Sequence, residues 1–323
     1  MQIAIYIFSI LTIVGTLLPL NKSKLWFVRD QVNFRAYYLV GNIFLLVGIC
    51  ILNNILSIPT LILLAGHAFC IFICIRSIKP YLFFSPTSIQ SATHSDSGIP
   101  LKILIFNVLQ DNDEYDKFLK LADTENPHII LLLETDEAWE NALSPLKNEY
   151  PHTIKEIRDD TYGIYFMSRV PFIEKKLNHF VSDDIPSIEA LIKVGAHNLR
   201  IFGLHPEPPL PGEAWTSMPK NLEMLSAANR ITAEPRAELD IVIGDLNDVG
   251  WSLSAKKFKE ITGLKDPREG RGFYATFPTY LPFRIPIDHV FCSPKLKLID
   301  FRTLENIGSD HFPVCVTFSI PDQ

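Results

Sequence analysis

Three long apolar stretches at the front of the chain, 3–20, 36–56 and 59–78, rule out a fold in which the whole sequence closes around one water-surrounded core. Each is near the roughly 20 residues that cross a bilayer as a helix. None carries Asp, Glu or Lys, and the single Arg, Arg76, falls in a last turn. Their alternative reading is buried soluble helices, or for the first a secretory signal, which the lack of a basic leader and of a small-residue cleavage site disfavours. The second and third are separated by only two residues, the spacing of a tight helical hairpin. Residues 1–80 therefore read as three transmembrane helices. Residues 81–99, rich in Ser and Thr through 85–98, read as a flexible linker, and 100–321 as a globular domain.

Charge separates the two parts. The chain has 323 residues, 47% of them hydrophobic, with 30 Lys and Arg against 36 Asp and Glu. Residues 1–94 hold six of the basic residues and one acid, Asp30, which leaves 24 basic and 35 acidic residues, a net charge of −11, for 95–323. Three spans put the loop before 36 and the domain on one side of the membrane. That loop carries Lys22, Lys24, Arg29 and Arg35, and positive loops favour the cytoplasm. Cys292 and Cys315, the only cysteines of the domain, lie in strand-like runs and read as buried free thiols rather than a disulfide framework.

Within the domain, short apolar runs repeatedly end on a polar functional group. The run 101–106 ends at Asn107, 128–133 at Glu134, and Ile241-Val242-Ile243-Gly244 at Asp245, followed by Leu246-Asn247. Runs of this kind are buried strands, and ligands of α/β sheets collect at their carboxyl ends. Asp245 and Asn247, two apart, face the same way on an extended chain. Within 150–205 the runs 162–168, 172–180, 188–194 and 198–205 read as successive antiparallel strands of one sheet, and the segments near 113–123, 136 onward, 212–233 and 252–262 as helices. Strand runs with interspersed helices predict two sheets packed face to face with helices outside.

The polar groups make a set suited to phosphoester hydrolysis, which needs hard oxygen ligands, a base for water and donors for charge on phosphorus. Glu134 suits Mg²⁺, with the Asn107 carbonyl oxygen beside it. Asp245 is the proton acceptor, Asn247 a neutral donor to phosphoryl oxygen, and His205 and His311 are donors near neutral pH. Asp310 reads either as a second metal ligand or as the partner that raises the basicity of His311. Asp288 orients a histidine or metal-bound water, and His289, on the opposite face of its strand, is structural. Arg268, Arg271, Arg284 and Lys265 form a candidate cationic cluster, interleaved with Phe273, Tyr274, Phe277, Tyr280 and Phe283, which suit a base or the acyl chains of a bilayer surface.

Taken in order, Asn107, Glu134, Tyr162-Gly163 to Ser168-Arg169, Gly203-Leu204-His205, Gly244-Asp245-Leu246-Asn247, Ile287-Asp288-His289 and Ser309-Asp310-His311 resemble the endonuclease/exonuclease/phosphatase superfamily over 101–319. The resemblance implies a four-layer α/β sandwich and Mg²⁺- or Mn²⁺-dependent phosphoester cleavage. It places Asn107 and Glu134 at the metal, Asp245 and Asn247 at the water and phosphate, His205 on the phosphate, and Asp310 with His311 as the terminal acid-base pair. The three spans, His205-Pro206 with its following prolines and Asn247-Asp248-Val249-Gly250-Trp251-Ser252 look like a membrane-anchored branch that includes glycopeptide-resistance-associated proteins. That branch implies a lipid-linked phosphate substrate at the outer face of a bacterial inner membrane, against the charge rule, so the side stays open. Leu133 stands where the superfamily commonly has Gln.

A membrane-anchored phosphohydrolase is thus expected, acting on a phosphoester or pyrophosphate, lipid-linked ones included. A metal-dependent nuclease is the second reading and a catalytically inactive membrane scaffold the third. The −11 charge of the domain opposes a long nucleic-acid partner.

Overall fold

A computed structural model of the chain describes residues 2–21, 25–52, 57–93, 96–208, 218–233 and 237–322. At the front, α1 (Gln2–Leu17), the single turn α2 (Trp26–Arg29), α3 (Arg35–Leu52) and α4 (Ile58–Ile78) form a bundle. Three segments, Ile3–Leu20, Phe27–Ile51 and Ile58–Tyr81, are long and apolar enough to cross a membrane. Apolar surface alone gives such helices little reason to associate in lipid, so polar contacts matter more there. Asn42 of α3 donates to Thr16 Oγ1 of α1 at 3.0 Å, and its Oδ1 sits 2.8 Å from His67 Nδ1 of α4. Lys22 and Lys24 of the charged loop lie outside the described residues, as do 53–56 and 212–217.

The domain contains two mixed sheets. The first has six strands, β1 (Ile99–Asn107), β2 (Ile129–Leu133), β3 (His152–Glu156), β4 (Ile164–Ser168), β10 (Lys297–Thr303) and β11 (Val314–Ile320), in the order β10-β11-β1-β2-β4-β3. The second has β5 (Phe172–Asn178), β6 (Ser187–Val194), β7 (His197–Gly203), β8 (Leu239–Asp245) and β9 (Asp288–Cys292) in sequence order. Side chains alternate across a strand, and the core follows that alternation. Ile103, Ile105, Leu131 and Leu133 meet Ile188, Ile201, Ile241 and Ile243 between the sheets. The opposite parity of the first sheet, Leu104, Phe106, Ile130 and Leu132, packs on Phe118 and Leu121 of α5 (Tyr115–Glu125) and on Trp139 of α6 (Glu137–Ala142). That of the second, Phe202, Val242 and Phe291, packs on Met224 and Ala227 of α7 (Met218–Ala233) and Phe258 of α8 (Leu253–Thr262). The result is the expected four-layer α/β sandwich. Cys292 and Cys315 are buried free thiols, as expected.

Two expectations need correction. The strand block 150–205 does not form one sheet: β3 and β4 belong to the first, β5 to β7 to the second. The chain changes sheet at Arg169-Val170-Pro171, where Pro171 has no N–H to continue a ladder. The segment expected as a flexible tether is also pinned along 85–93. Ser91 bridges Leu298, Leu298 N donates to Gln90 O at 2.8 Å, and Arg271 donates to Ile89 O at 2.8 Å and Ser91 Oγ at 2.9 Å. Composition marks the absence of regular structure there, but backbone groups bonding to a sheet edge hold it nonetheless.

The helical bundle is docked on the domain through a small apolar cluster of Ile78, Tyr81, Val249, Trp251 and Ile287. Trp251 Nε1 donates to Val32 O at 2.8 Å, and Tyr81 OH to Asp266 Oδ2 at 3.0 Å.

Candidate active site

The two parallel pairs, β1 with β2 and β7 with β8, bring their carboxyl ends to one edge of the sandwich. Asn107 closes β1, Glu134 and His205 follow β2 and β7, and Asp245 closes β8. Antiparallel pairing of β8 with β9 sets Asp245 opposite Asp288, the first residue of β9. His311 arrives from the loop before β11. Gly244 is required where it stands: its φ is +141° and a Cβ would lie 1.9 Å from Leu204 O. At the end of β2, Glu134 has φ 63°, a left-handed conformation uncommon outside glycine that turns its carboxylate off the strand line.

Asp245 is the hub. Its Oδ2 lies 3.5 Å from His311 Nε2 and 3.9 Å from His205 Nε2, and accepts from Asn107 Nδ2 at 3.3 Å. Its Oδ1 accepts the Asn247 backbone N–H at 2.8 Å. That bond curls the chain, and Asn247, at φ 51°, does not continue the strand. The two side chains therefore do not share an extended face as expected: Asn247 Nδ2 turns to Pro206 O at 3.0 Å and holds the loop after His205. A short side chain capping its own backbone two residues on is a common reason for such a turn.

Asn107 donates from Nδ2 to Glu134 Oε1 at 2.8 Å, while its Oδ1 accepts from Leu109 N at 3.1 Å. It therefore bridges the two carboxylates as a donor, in place of the expected carbonyl offered beside Glu134. Asp310 stands next to His311, half-buried, with Oδ1 3.5 Å from Ser309 Oγ. Ser309, which the sequence marked only as part of a motif, ties the site together: its hydroxyl donates to Asn107 O at 2.7 Å and accepts His311 N at 3.0 Å. Two aromatic contacts also had no sequence signal of their own: Phe277 packs on His311 with centroids 4.8 Å apart, and Tyr162 on His205 at 5.9 Å.

Burial and charge set distinct protonation states. Burial pulls the His311 imidazole down, but Asp288, Asp245 and Asp310 around it outweigh that and push it up to about 10. Its Nδ1 lies 2.8 Å from Asp288 Oδ2. Burial raises the Asp288 carboxyl, yet the His311 charge and hydrogen bond hold it below its ordinary value. Asp245 is pushed up to about 6, chiefly by burial, with His311 opposing and Asp288 adding to the rise. Burial lowers His205, whose Nδ1 has no hydrogen-bond partner among the described residues. Burial also raises Glu134, against the Asn107 hydrogen bond, and the Asp310 charge adds to the rise.

The expected cationic cluster is dispersed. Arg268 is buried in a bidentate pair with Asp266, at 3.0 and 2.8 Å, and also donates to Asp288 O at 3.0 Å. It donates to His289 Nδ1 at 2.7 Å, and His289 Nε2 donates to Asp248 O at 2.7 Å, so His289 is structural as expected. A planar guanidinium fits such a fork, which explains why this Arg supports the strand from beneath. Arg271 is spent on the 85–93 segment. Arg284 alone of the three arginines is exposed near the site, stacked on Phe312 at 4.5 Å. Of the aromatics, Phe273 and Phe277 pack inward, Tyr274 is half-buried against Phe301, and Tyr280 and Phe283 are exposed.

A helix-flanked double sheet with acids and histidines gathered at one strand edge defines a class of hydrolytic α/β sandwiches. The Endonuclease/Exonuclease/phosphatase family model matches residues 104–311, and the chain belongs to that family, whose members are generally metal-dependent phosphoesterases. Solved structures share the fold. D. rerio TDP2 complexed with single strand DNA product is 19% identical, with a TM-score of 0.58, covering 69% of this chain and 100% of that one. A family protein from Bacteroides thetaiotaomicron is 18% identical, TM-score 0.57, covering 69% and 99%. Sphingomyelinase C from Streptomyces griseocarneus is 14% identical, TM-score 0.52, covering 68% and 99%. No curated protein sequence matches the chain.

Proposed function

We propose that this protein is a membrane-anchored phosphohydrolase, dependent on Mg²⁺ or Mn²⁺, that cleaves a phosphoester or pyrophosphate carried by a membrane lipid. The observation that carries the reading is Asp245, buried between two imidazoles and two amide donors and beside Glu134. Its raised carboxyl is a stronger base than a solvent-exposed one, suited to accept a proton from the attacking water. His311, held protonated by Asp288, donates to a phosphoryl oxygen; His205 supplies a second N–H, and Asn247 fixes the loop that carries it.

The residues fit a hard cation. Glu134 and Asp310 repel one another electrostatically, and among the described residues neither is in an ion pair with Lys or Arg. Asp245, Asp288 and His311 also gather closely enough to suggest a metal site. Their charge, however, is already compensated by the imidazolium, and a protonated His311 cannot ligate. Glu134 and Asp310 would therefore hold the ion, with Asn107 orienting Glu134. A bound divalent cation would neutralise phosphate charge and polarise the phosphoryl group.

The anchor reading rests on the three apolar segments and on their continuity with the domain through Tyr81 and Trp251. With the resemblance to the membrane-anchored branch, it points to a bacterial inner membrane. Protease added to intact cells decides the side: digestion of the domain places it outside, protection inside. The nuclease reading draws on TDP2, a neighbour seen with a DNA product, and the inactive-scaffold reading on nothing in the site. The test is phosphate release by the full chain in detergent, with lipid phosphates, nucleotides and DNA, under Mg²⁺ and Mn²⁺. Metal-dependent release lost in both Glu134→Ala and Asp245→Ala is expected; near-normal rates in both would sink the assignment.

A further inference from the structure

Where α3 leaves the domain, a cavity of about 480 Å³ lies between its first turns and the loop 273–286, lined by Tyr37, Val40, Trp251, Phe273, Arg284 and Pro286 among others. We infer that this groove holds the apolar chain of the substrate, a single long alkyl or isoprenoid chain drawn sideways from the bilayer while its phosphate stays at the catalytic edge. The inference rests on the phosphohydrolase reading above and adds the path by which the substrate reaches the site.

Continuity with the membrane-facing surface argues for a lipid chain. Val40 at the mouth is 66% exposed, and the same stripe of α3 continues through Phe44, Val47 and Ile51, all exposed. The groove therefore opens onto the face of a helix that would meet hydrocarbon, where a water-soluble ligand would not arrive. Its lip points the same way. Tyr280, Leu281 and Phe283 are exposed at the tip of the loop, and the Phe283 ring meets Tyr37 edge-on at 5.3 Å. Aromatic rings at that level belong in a membrane interface.

The inner wall leads to the chemistry. The loop that carries Ala275, Pro282, Arg284 and Pro286 along the groove also carries Phe277 against His311 and leads into Asp288. Tyr37 OH donates to Arg284 O at 2.6 Å, so α3 positions this exposed arginine. Arg284 stacks on Phe312, the neighbour of His311, and among the described residues it is in no ion pair. A cation at the polar end of an apolar groove, one side chain from the catalytic histidine, complements a phosphate that bears a long chain. The volume is in the range of small-ligand sites, enough for part of one chain and too small for a folded partner.

The test uses the full chain in detergent micelles and hexadecyl phosphate bearing a photoactivatable diazirine in the phosphate-proximal half of its chain, with labelled peptides mapped by mass spectrometry. Labelling is expected to concentrate in 33–40 and 273–286, and to be competed by unlabelled hexadecyl phosphate but not by glycerol phosphate. Val40→Trp and Pro282→Trp each add bulk from an exposed position and should cut that labelling about five-fold, equivalent to about 1 kcal/mol of binding. Label spread evenly over the outer faces of α1, α3 and α4, indifferent to both variants, would overturn the groove. Because labelling needs no turnover, the two readings fail separately. A chain that labels in the groove but hydrolyses nothing keeps the groove and loses the enzyme, and an active chain that labels elsewhere does the reverse.

Discussion

Asp288→Asn isolates the effect of one carboxylate on the catalytic histidine, since the amide keeps the shape and a hydrogen-bonding oxygen but loses the charge. In the native protein Asp288 Oδ2 lies 2.8 Å from His311 Nδ1 with both groups buried, and Asp288 is the foremost of the charges that raise the imidazole to about 10. An opposite charge at such range moves a pKa by about 1–3 units, so the variant should hold His311 near about 8. At pH 9 the protonated fraction then falls about ten-fold while at pH 6.5 it barely changes. The readout is kcat/KM against pH: the alkaline limb should move down by about two units, and the acid limb, set by Asp245 at about 6, should persist. Stability follows the same pair. His311 gains proton affinity on folding, so its contribution is complete below its unfolded value of 6.5 and is lost as pH climbs through about 10. Asp288 is lowered on folding, so its contribution is present above 3.8 and is lost in more acidic solution. Between those limits the variant should lose about 1.5–3 kcal/mol, the worth of a charge-assisted bond. An unmoved alkaline limb would refute the assignment of His311 as the proton donor held by Asp288.

Other expectations are simpler. Glu134→Gln should raise the Mg²⁺ or Mn²⁺ concentration needed for half-maximal rate and lower the saturated rate by at least about 100-fold, since metal stabilisation is worth several kcal/mol; a metal titration checks both. Trp251→Ala removes the indole that packs on Tyr81 and Phe273 and bonds Val32, at a cost of about 3–5 kcal/mol to the dock. Faster limited proteolysis between 81 and 99 should report it. Gly244→Ala places a Cβ against Leu204 O at a φ of +141° and should cost at least about 1–3 kcal/mol, read as a lowered Tm.

The parts of this fold that were legible in the sequence are those where physics acts over short stretches. β1, β2 and β8 are apolar runs ending on a polar residue, and that punctuation fixes both the strand and the edge where the site gathers. The division of Ile103 and Ile105 from Leu104 and Phe106 was not legible, because both faces of this buried strand are apolar and only the structure assigns one to the inter-sheet core and the other to the helices. β3 was missed because His152–Glu156 is a short polar edge strand whose pairing is with β4 alone. Arg268 was misplaced for a different reason: a guanidinium reads as surface charge until its fork of partners is known, and Asp266, His289 and the Asp288 carbonyl come from two elements. The curl at Asn247 was likewise invisible to strand periodicity, because one side-chain hydrogen bond overrides it.

Substrate choice is where that correction to the arginines has most consequence. With Arg268 internal, Arg271 bound to the 85–93 segment and Lys265 paired with Cys292 at the end of β9 away from Asp288, the expected cluster leaves, among the described residues, only Arg284 exposed near the site, in a domain region carrying −11 overall. Duplex DNA presents one charge about every 1.7 Å, and a protein that grips it neutralises several phosphates at once. Among the described residues this surface offers no such row, whereas one phosphate group needs only Arg284, the histidines and the metal. Membrane-borne phosphoesters in micelles should therefore exceed both duplex and single-stranded DNA in kcat/KM at moderate salt with Mg²⁺. Raising the salt should change the rate on the lipid phosphate little, since the number of ions released is small. Efficient DNA cleavage that falls steeply with salt would mean that a phosphate-tracking surface exists, and would restore the nuclease reading.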